Sequence, residues 1–207
     1  MVNTRAIWLL LYDIEANDRE QYVTWFHDVH IPEKLSRPGY LWAAHYEAPN
    51  VEDEEFTSFV AMFGGESTAT FLDPNPKQLK TLQDAETREM MPLRQRARSA
   101  ILAHEWSSDA RAAITAFRLE VALLRPTEDY DDEDIGAISA QELAHVGEDV
   151  GVVHKLIGVT GDIRHVLLLE HGAEQAADDA QPLARATEAS MPGTVESICS
   201  VEQLWRP

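Results

Sequence analysis

Segments of strand and helix character follow one another in this chain as strand, helix, strand, strand, helix, strand, and the same order then runs a second time. Few arrangements accept that pattern. Each run is a split β-α-β unit: a four-stranded antiparallel sheet with two helices on one face and nothing on the other. The bare face has to be buried. A second copy facing the first lets the two sheets curve into an eight-stranded barrel with helices outside. The sequence therefore predicts an α+β protein of two tandem ferredoxin-like units, 1–108 and 113–207, with the second diverged from the first.

In the first run, a strand over 5–13 leads to a helix that Asn17 caps, with Glu20 completing a capping-box pair. Tyr22, Trp25, Phe26 and Val29 recur at three- and four-residue spacings as one apolar stripe. Pro32 is expected to end the regular part of this helix, because proline disfavours helical geometry in the residue before it. Pro38-Gly39 marks a turn. Strands follow over 40–48 and 56–63, joined by a loop with the acidic run 52–55, and Gly64-Gly65 closes the second of them. A broken helical region extends over 77–99, and a fourth strand covers 101–106.

After a small polar linker at 107–112 the pattern restarts. Strands are expected over 114–124, 152–160, 163–170 and 194–204. An acidic loop lies around 125–134, a helix capped by Ser139 reaches His145, and a second helix over 174–189 is interrupted by Pro182.

Strand alternation divides the first sheet into two faces. Ile7, Leu9, Leu11, Leu41, Ala43, Phe59, Ala61, Phe63, Ile101 and Ala103 form an aliphatic and phenylalanine-rich set, expected beneath the helices. Trp8, Leu10, Tyr12, Tyr40, Trp42, Tyr46, Ser58, Val60, Met62, His104 and Trp106 form the other, rich in rings with polar tips. That set suits a barrel interior or a pocket wall. In the second run Arg118 and Glu120 share a face and could pair inside the barrel, since such charges are rarely buried alone.

His27 and His30 stand three residues apart, close enough to share a helical face. No third ligand accompanies them, so a metal centre is not expected. His30 ends the apolar stripe, and its neutral imidazole could serve as a base near neutral pH. No nucleophile elbow, phosphate-binding loop or dinucleotide glycine pattern is present in the sequence.

Composition narrows the function further. With 36 acidic against 17 basic residues the formal charge is −19, which disfavours nucleic acid and anionic membrane surfaces as partners. No apolar run approaches the roughly 18 residues of a membrane span. The N-terminal apolar stretch, broken by Asp13 and without a small-residue cleavage site, reads as a strand and not a signal peptide. Cys199 is the one cysteine. It suits a reducing, cytoplasmic setting and reads as a buried, inert thiol in the last strand.

The stretch W-F-H-D-V-H-I-P-E-K-L-S-R-P-G-Y-L-W-A-A-H-Y over 25–46 resembles the EthD-like family of the dimeric α+β-barrel superfamily. The resemblance is carried by Trp25, His30, Pro32, Pro38, Gly39 and Tyr46. It covers about 25 residues. In the second run His145 and Gly151 echo His30 and Gly39 without the tryptophan and both prolines. The resemblance implies a pseudo-dimeric barrel and one active site per chain, in the first run. It also implies a small-molecule enzyme or ligand-binding protein acting on an aromatic or polyketide-like compound. His30 would be the catalytic acid–base or orienting residue, and Tyr12, Trp42, Tyr46 and His104 the substrate-binding wall.

The alternative is a non-catalytic structural or regulatory barrel whose aromatics fill the interior. Some barrels of the superfamily hold haem through a histidine, but no histidine here has a distinctive haem-ligand context, so no cofactor is expected. The partners expected are a small-molecule ligand and, as one compatible assembly, a second copy of the fused chain.

Overall fold

The computed structural model describes residues 4–48, 55–79, 83–109, 116–138, 151–172 and 181–205, with Thr81, Ile114, Leu143 and His145. Eight strands close into one antiparallel barrel: β1 (Ala6–Glu15), β2 (Tyr40–Glu47), β3 (Phe56–Gly65), β4 (Gln95–Ser107), β5 (Arg118–Leu124), β6 (Gly151–Gly161), β7 (His165–His171) and β8 (Val195–Trp205). Around the barrel they run β1-β3-β2-β8-β5-β7-β6-β4. Read as two arcs, this is β4-β1-β3-β2 followed by β8-β5-β7-β6, the same order within each half of the chain. The two seams are unequal. β4 and β6 pair from Ala100↔Gly161 to Ser107↔His154, whereas β2 and β8 pair only from His45↔Trp205 to Glu47↔Glu202.

The first helix starts later than the capping pattern suggests. α1 (Arg19–Trp25) has Asp18 at its N-cap position with no side-chain cap, because the Asp18 carboxylate accepts from the Gln21 amide instead. The helix also does not stop at Pro32. It widens into a π-helical turn over Phe26–His30, where Ile31 N–H reaches back five residues to Phe26 O, and resumes as α2 (Ile31–Leu35) with Pro32 in its first turn. Proline brings no N–H of its own, and the widened turn just before it lets the chain continue. Gly39 then turns at φ 82°, where a Cβ would lie 2.9 Å from Thr70 Oγ1.

The long helical region expected after β3 is three short pieces, α3 (Ala69–Leu72), α4 (Pro76–Leu79) and α5 (Ala85–Met90), followed by a 3₁₀ turn over Met91–Leu93. Pro92 closes that turn, and β4 begins at Gln95, six residues before the expected 101. Charge pairs fix the early start: Arg96 bonds Asp13, and Arg98 bonds Asp162 and Glu196.

In the second half the acidic run makes a helix and not a loop. α6 (Asp132–Gly136) is opened by Asp131, whose carboxylate accepts from Glu133 and Asp134 N–H, while the Asp134 side chain accepts from Asp131 N–H. Carboxylates belong at a helix N-terminus, where the free N–H groups and the dipole favour them. Pro182 begins a helix, α7 (Pro182–Ser190), as proline's missing N–H allows at a first turn. The acidic positions 52–54, linker positions 110–112, Ser139 and positions 174–180 lie outside the described residues.

Three apolar clusters account for the packing. The barrel interior is filled by aliphatics from both halves, including Ile7, Leu9, Met62, Leu102, Leu119, Val121, Leu156 and Leu168. The helix side of the first sheet is aromatic: Trp8, Tyr12, Phe59 and Phe63 pack against Tyr22, Trp25, Phe26 and Phe71. A third cluster, with Ala122, Leu124, Leu167, Leu169 and Leu183, serves the second half. Burying one such side chain contributes about 1.5–3 kcal/mol.

The expected faces hold for β3 and are reversed for β1. Trp8 pairs with Phe63 and Tyr12 with Phe59 across the β1–β3 ladder, so these residues share the helix side. In β2 a register shift between Tyr40 and Trp42 breaks the alternation. Tyr40, Ala43 and the Tyr12-bonded His45 face the helices, while Ala44 and Tyr46 face inward. Arg118 and Glu120 do not pair. Arg118 bonds Glu202, and the buried Glu120 carboxylate accepts from Leu183 and Ala184 N–H at the start of α7.

Candidate functional site

A cavity of about 360 Å³ lies between the first sheet and its helices. Its wall includes Trp8, Leu10 and Tyr12 from β1, His30 from the π turn, Lys34 from α2, and Arg94 and Arg98 at the entry to β4. That is within the size range of small-molecule sites. The wall is about as polar as it is apolar, and its polar groups are mainly cations and donors.

His30 is 4% exposed and rests against the rings of Trp25, at 4.8 Å, and Phe26, at 5.1 Å. Among the described residues its ring makes no side-chain hydrogen bond. Burial holds its pKa well below the usual imidazole value, and the Arg94, Lys34 and Arg37 cations and His45 push the same way. The ring is therefore neutral at neutral pH and able to accept a proton.

Arg94 is the cation at the centre of this wall. Its guanidinium lies 4.7 Å from the centre of the Tyr12 ring, and its Nε donates to the Tyr22 hydroxyl at 2.5 Å. Among the described residues no carboxylate pairs with it. One of its terminal nitrogens is buried with no acceptor, and so is the indole N–H of Trp8. A buried donor without an acceptor costs about 1–3 kcal/mol. The other cations of the wall are paired: Lys34 bonds Glu33 at 2.7 Å, and Arg98 bonds Asp162 and Glu196.

Tyr12 is also the end of a hydrogen-bonded chain. Its hydroxyl meets His45 Nε2 at 2.8 Å, and His45 Nδ1 meets His27 Nε2 at 2.9 Å. Tyr12 is pushed well above the usual phenol range, chiefly by burial, and burial also holds His45 well below the usual imidazole value.

Of the residues expected in one pocket, the structure brings together Tyr12 and His30. The other three lie elsewhere. Trp42 lies over Gly64, where a Cβ would stand 2.0 Å from the indole nitrogen, and donates to Thr4 Oγ1 at 2.7 Å. Tyr46 is buried on the inner side of β2 and donates to Ala116 O at 3.2 Å. His104 meets His154 at 3.2 Å, and His154 meets the buried Glu170 carboxylate at 2.9 Å. Burial and the neighbouring His154 hold His104 down to about 4.

Cys199 lines a separate cavity of about 350 Å³ at one end of the barrel, and burial pushes its thiol up to about 12. Arg94 and His45 were not legible as site residues. Arg94 stood inside a stretch expected to be helical, and His45 falls in neither face set, its bond to Tyr12 being made across the sheet from a strand that is not a neighbour of β1.

No protein-family model matches the chain, and no curated protein matches it. Solved structures do. A candidate monooxygenase from Fusobacterium nucleatum superposes with a TM-score of 0.57 at 9% identity, covering 98% of this chain and 93% of that one. An anthrone oxidase-like protein gives 0.59 at 11% identity, covering 98% and 92%. A candidate chlorite dismutase gives 0.58 at 12% identity, covering 98% and 96%. What is shared is the fold, here a closed eight-stranded antiparallel barrel with helices packed on it. At these identities the likeness speaks for the barrel alone. Among the described residues of this α+β barrel, no helix is long and apolar enough to cross a membrane, and no group of three or more His, Cys, Asp or Glu side chains could hold a metal ion.

Proposed function

We propose that this chain is an EthD-like small-molecule enzyme or ligand-binding protein that takes an aromatic or polyketide-like compound bearing an ionisable hydroxyl or carboxyl group. The observation that carries this reading is the unpaired Arg94 in a cavity it shares with neutral His30 and with Trp8. In a chain of net charge −19, a half-buried cation with no carboxylate partner among the described residues is an anion site in waiting. A phenol or enol entering the cavity would set its oxygen facing Arg94, whose charge favours the anion, with neutral His30 orienting it by a hydrogen bond. The repeated strand order supports reading the chain as two fused ferredoxin-like units, with one such site in the first, and the single cysteine suits a reducing, cytoplasmic setting. The neighbours named as candidate monooxygenases and anthrone oxidase-like are compatible with that substrate class.

The test uses 4-nitrophenol, whose phenolate absorbs in the visible. Wild type is expected to bind it and to hold it as the phenolate below the pH at which it ionises in water. Arg94→Met and His30→Ala, with unchanged melting curves, should each weaken that binding by about tenfold or more, the scale of a charge-assisted contact. Equal binding and equal phenolate content in all three proteins would reject the reading.

A second reading is favoured by the packed aliphatic interior: a non-catalytic barrel, structural or regulatory. It predicts no saturable response to phenols at all.

A further inference from the structure

We infer that His27, His45 and Tyr12 form a proton relay joining the wall of the cavity to solvent. The inner end is the Tyr12 hydroxyl, on a residue 3% exposed that lines the cavity. The middle is His45, with no exposure at all, bonded through both ring nitrogens. The outer end is His27, which is half-buried and reaches water. Two hydrogen bonds of 2.8 and 2.9 Å therefore span the sheet-to-helix layer without a gap.

The chemistry of the members matters as much as the distances. A phenol and two imidazoles each donate and accept, so a proton entering at one end can leave at the other. The second histidine chain in the molecule differs: His104–His154 runs into the Glu170 carboxylate, which only accepts, and stops there. The inner end of the relay is also biased outward. Arg94 donates to the Tyr22 hydroxyl and lies over the Tyr12 ring, so its charge stands beside the oxygen that a proton moving toward His45 would leave behind.

The transfer balances. The Tyr12 proton passes to His45 Nε2 as the proton on His45 Nδ1 passes to His27 Nε2, and His27 releases its Nδ1 proton to water. Tyr12 then takes a proton from the cavity, with Arg94 beside it to hold the transient negative oxygen. One proton moves from cavity to solvent, and the two imidazoles are left as their other tautomers. Burial keeps His27 and His45 neutral at neutral pH, as such a relay needs. The π turn makes the geometry, since it places His27 against β2 while His30 packs on Trp25 and Phe26.

The role of the relay rests on the cavity being the ligand site, but its existence does not, and the test uses no ligand. Exchange of tyrosine hydroxyl protons with water is read by NMR, from the isotope shift of the ring carbon bearing oxygen, with Tyr12→Phe as assignment control. Tyr46 is the internal reference, because it is equally buried and its hydroxyl ends on a carbonyl. In wild type, Tyr12 should exchange about tenfold or more faster than Tyr46, which must wait for local opening. His27→Gln should slow Tyr12 by about tenfold and leave Tyr46 unchanged, and His27→Ala should recover the wild-type rate when imidazole is added.

Equal Tyr12 rates in wild type and both variants would overturn the relay, and so would a parallel change in Tyr12 and Tyr46. Loss of the 4-nitrophenol response with the exchange pattern intact would remove the ligand reading and leave the relay standing.

Discussion

Acidification below pH 6.5 is expected to destabilise this protein through proton uptake by histidine, with two fully buried rings alone giving a limiting slope of about 2.8 kcal/mol per pH unit. The groups are His30 and His45, 4% and 0% exposed. Burial, reinforced by Arg94 and neighbouring cations, holds both well below their usual pKa. The unfolded chain binds these protons below about 6.5, whereas the folded chain refuses them until much lower pH. A depressed folded pKa thus gives stability that is complete above 6.5 and drains away as pH falls. The check is denaturant unfolding across pH 5–7 for wild type and His45→Gln, which should lower the proton uptake by about one. The carboxylates that also titrate are common to both proteins, so the difference isolates the histidine. An identical slope in the two would mean that His45 is charged in the folded state.

Gly151→Ala should be the most damaging single methyl in the chain, costing about 3 kcal/mol or more, or preventing folding. A Cβ there would stand 1.7 Å from Glu170 O and 2.8 Å from Glu170 C, atoms of the neighbouring strand's backbone. Backbone within a closed barrel cannot step aside without parting β6 from β7. The same residue, Glu170, holds His154 and accepts Ala116 N–H at 2.8 Å, so displacing it would also loosen a buried polar network. Gly136→Ala is the control. Nothing lies within 4 Å of a Cβ at that position, and it should be within about 1 kcal/mol of wild type. Comparable unfolding midpoints for the two variants would contradict the packing of β6 on β7.

The order of strands was legible because each carries a run of apolar or alternating residues that no helix would tolerate. Which face points inward was not. Alternation divides β1 into Ile7-Leu9-Leu11 and Trp8-Leu10-Tyr12, but only the pairing with β3 decides which set meets the helices. Polar-tipped rings looked like a pocket lining. Those of β1 line the cavity and also form the floor on which Tyr22, Trp25 and Phe26 pack, while Trp42 and Tyr46 of β2 join the mainly aliphatic inner cluster.

His30 was readable from its motif, and Tyr12 joined it in one cavity. Trp42 and Tyr46 were grouped with Tyr12 by a face rule that is reversed at β1: Tyr12 meets the helices, while Trp42 and Tyr46 meet the inner cluster. His104 on β4 is bonded to His154 of the neighbouring β6. Arg94 had no local signal. Its importance comes from what surrounds it in space, two tyrosine rings and no carboxylate, and no spacing along the chain reports that.

Closure of the barrel has one more consequence, for company. Every strand has a neighbour on both sides, so the sheet offers no free edge on which another strand could be added. A second copy, or any other protein, could join this molecule only through helices, loops and the barrel's open ends. The weakest stretch of the ring is the short β2–β8 seam, and β2 is the strand that carries His45. Loosening of that seam would therefore reach the hydrogen-bonded chain to Tyr12 before it reached anything in the second half.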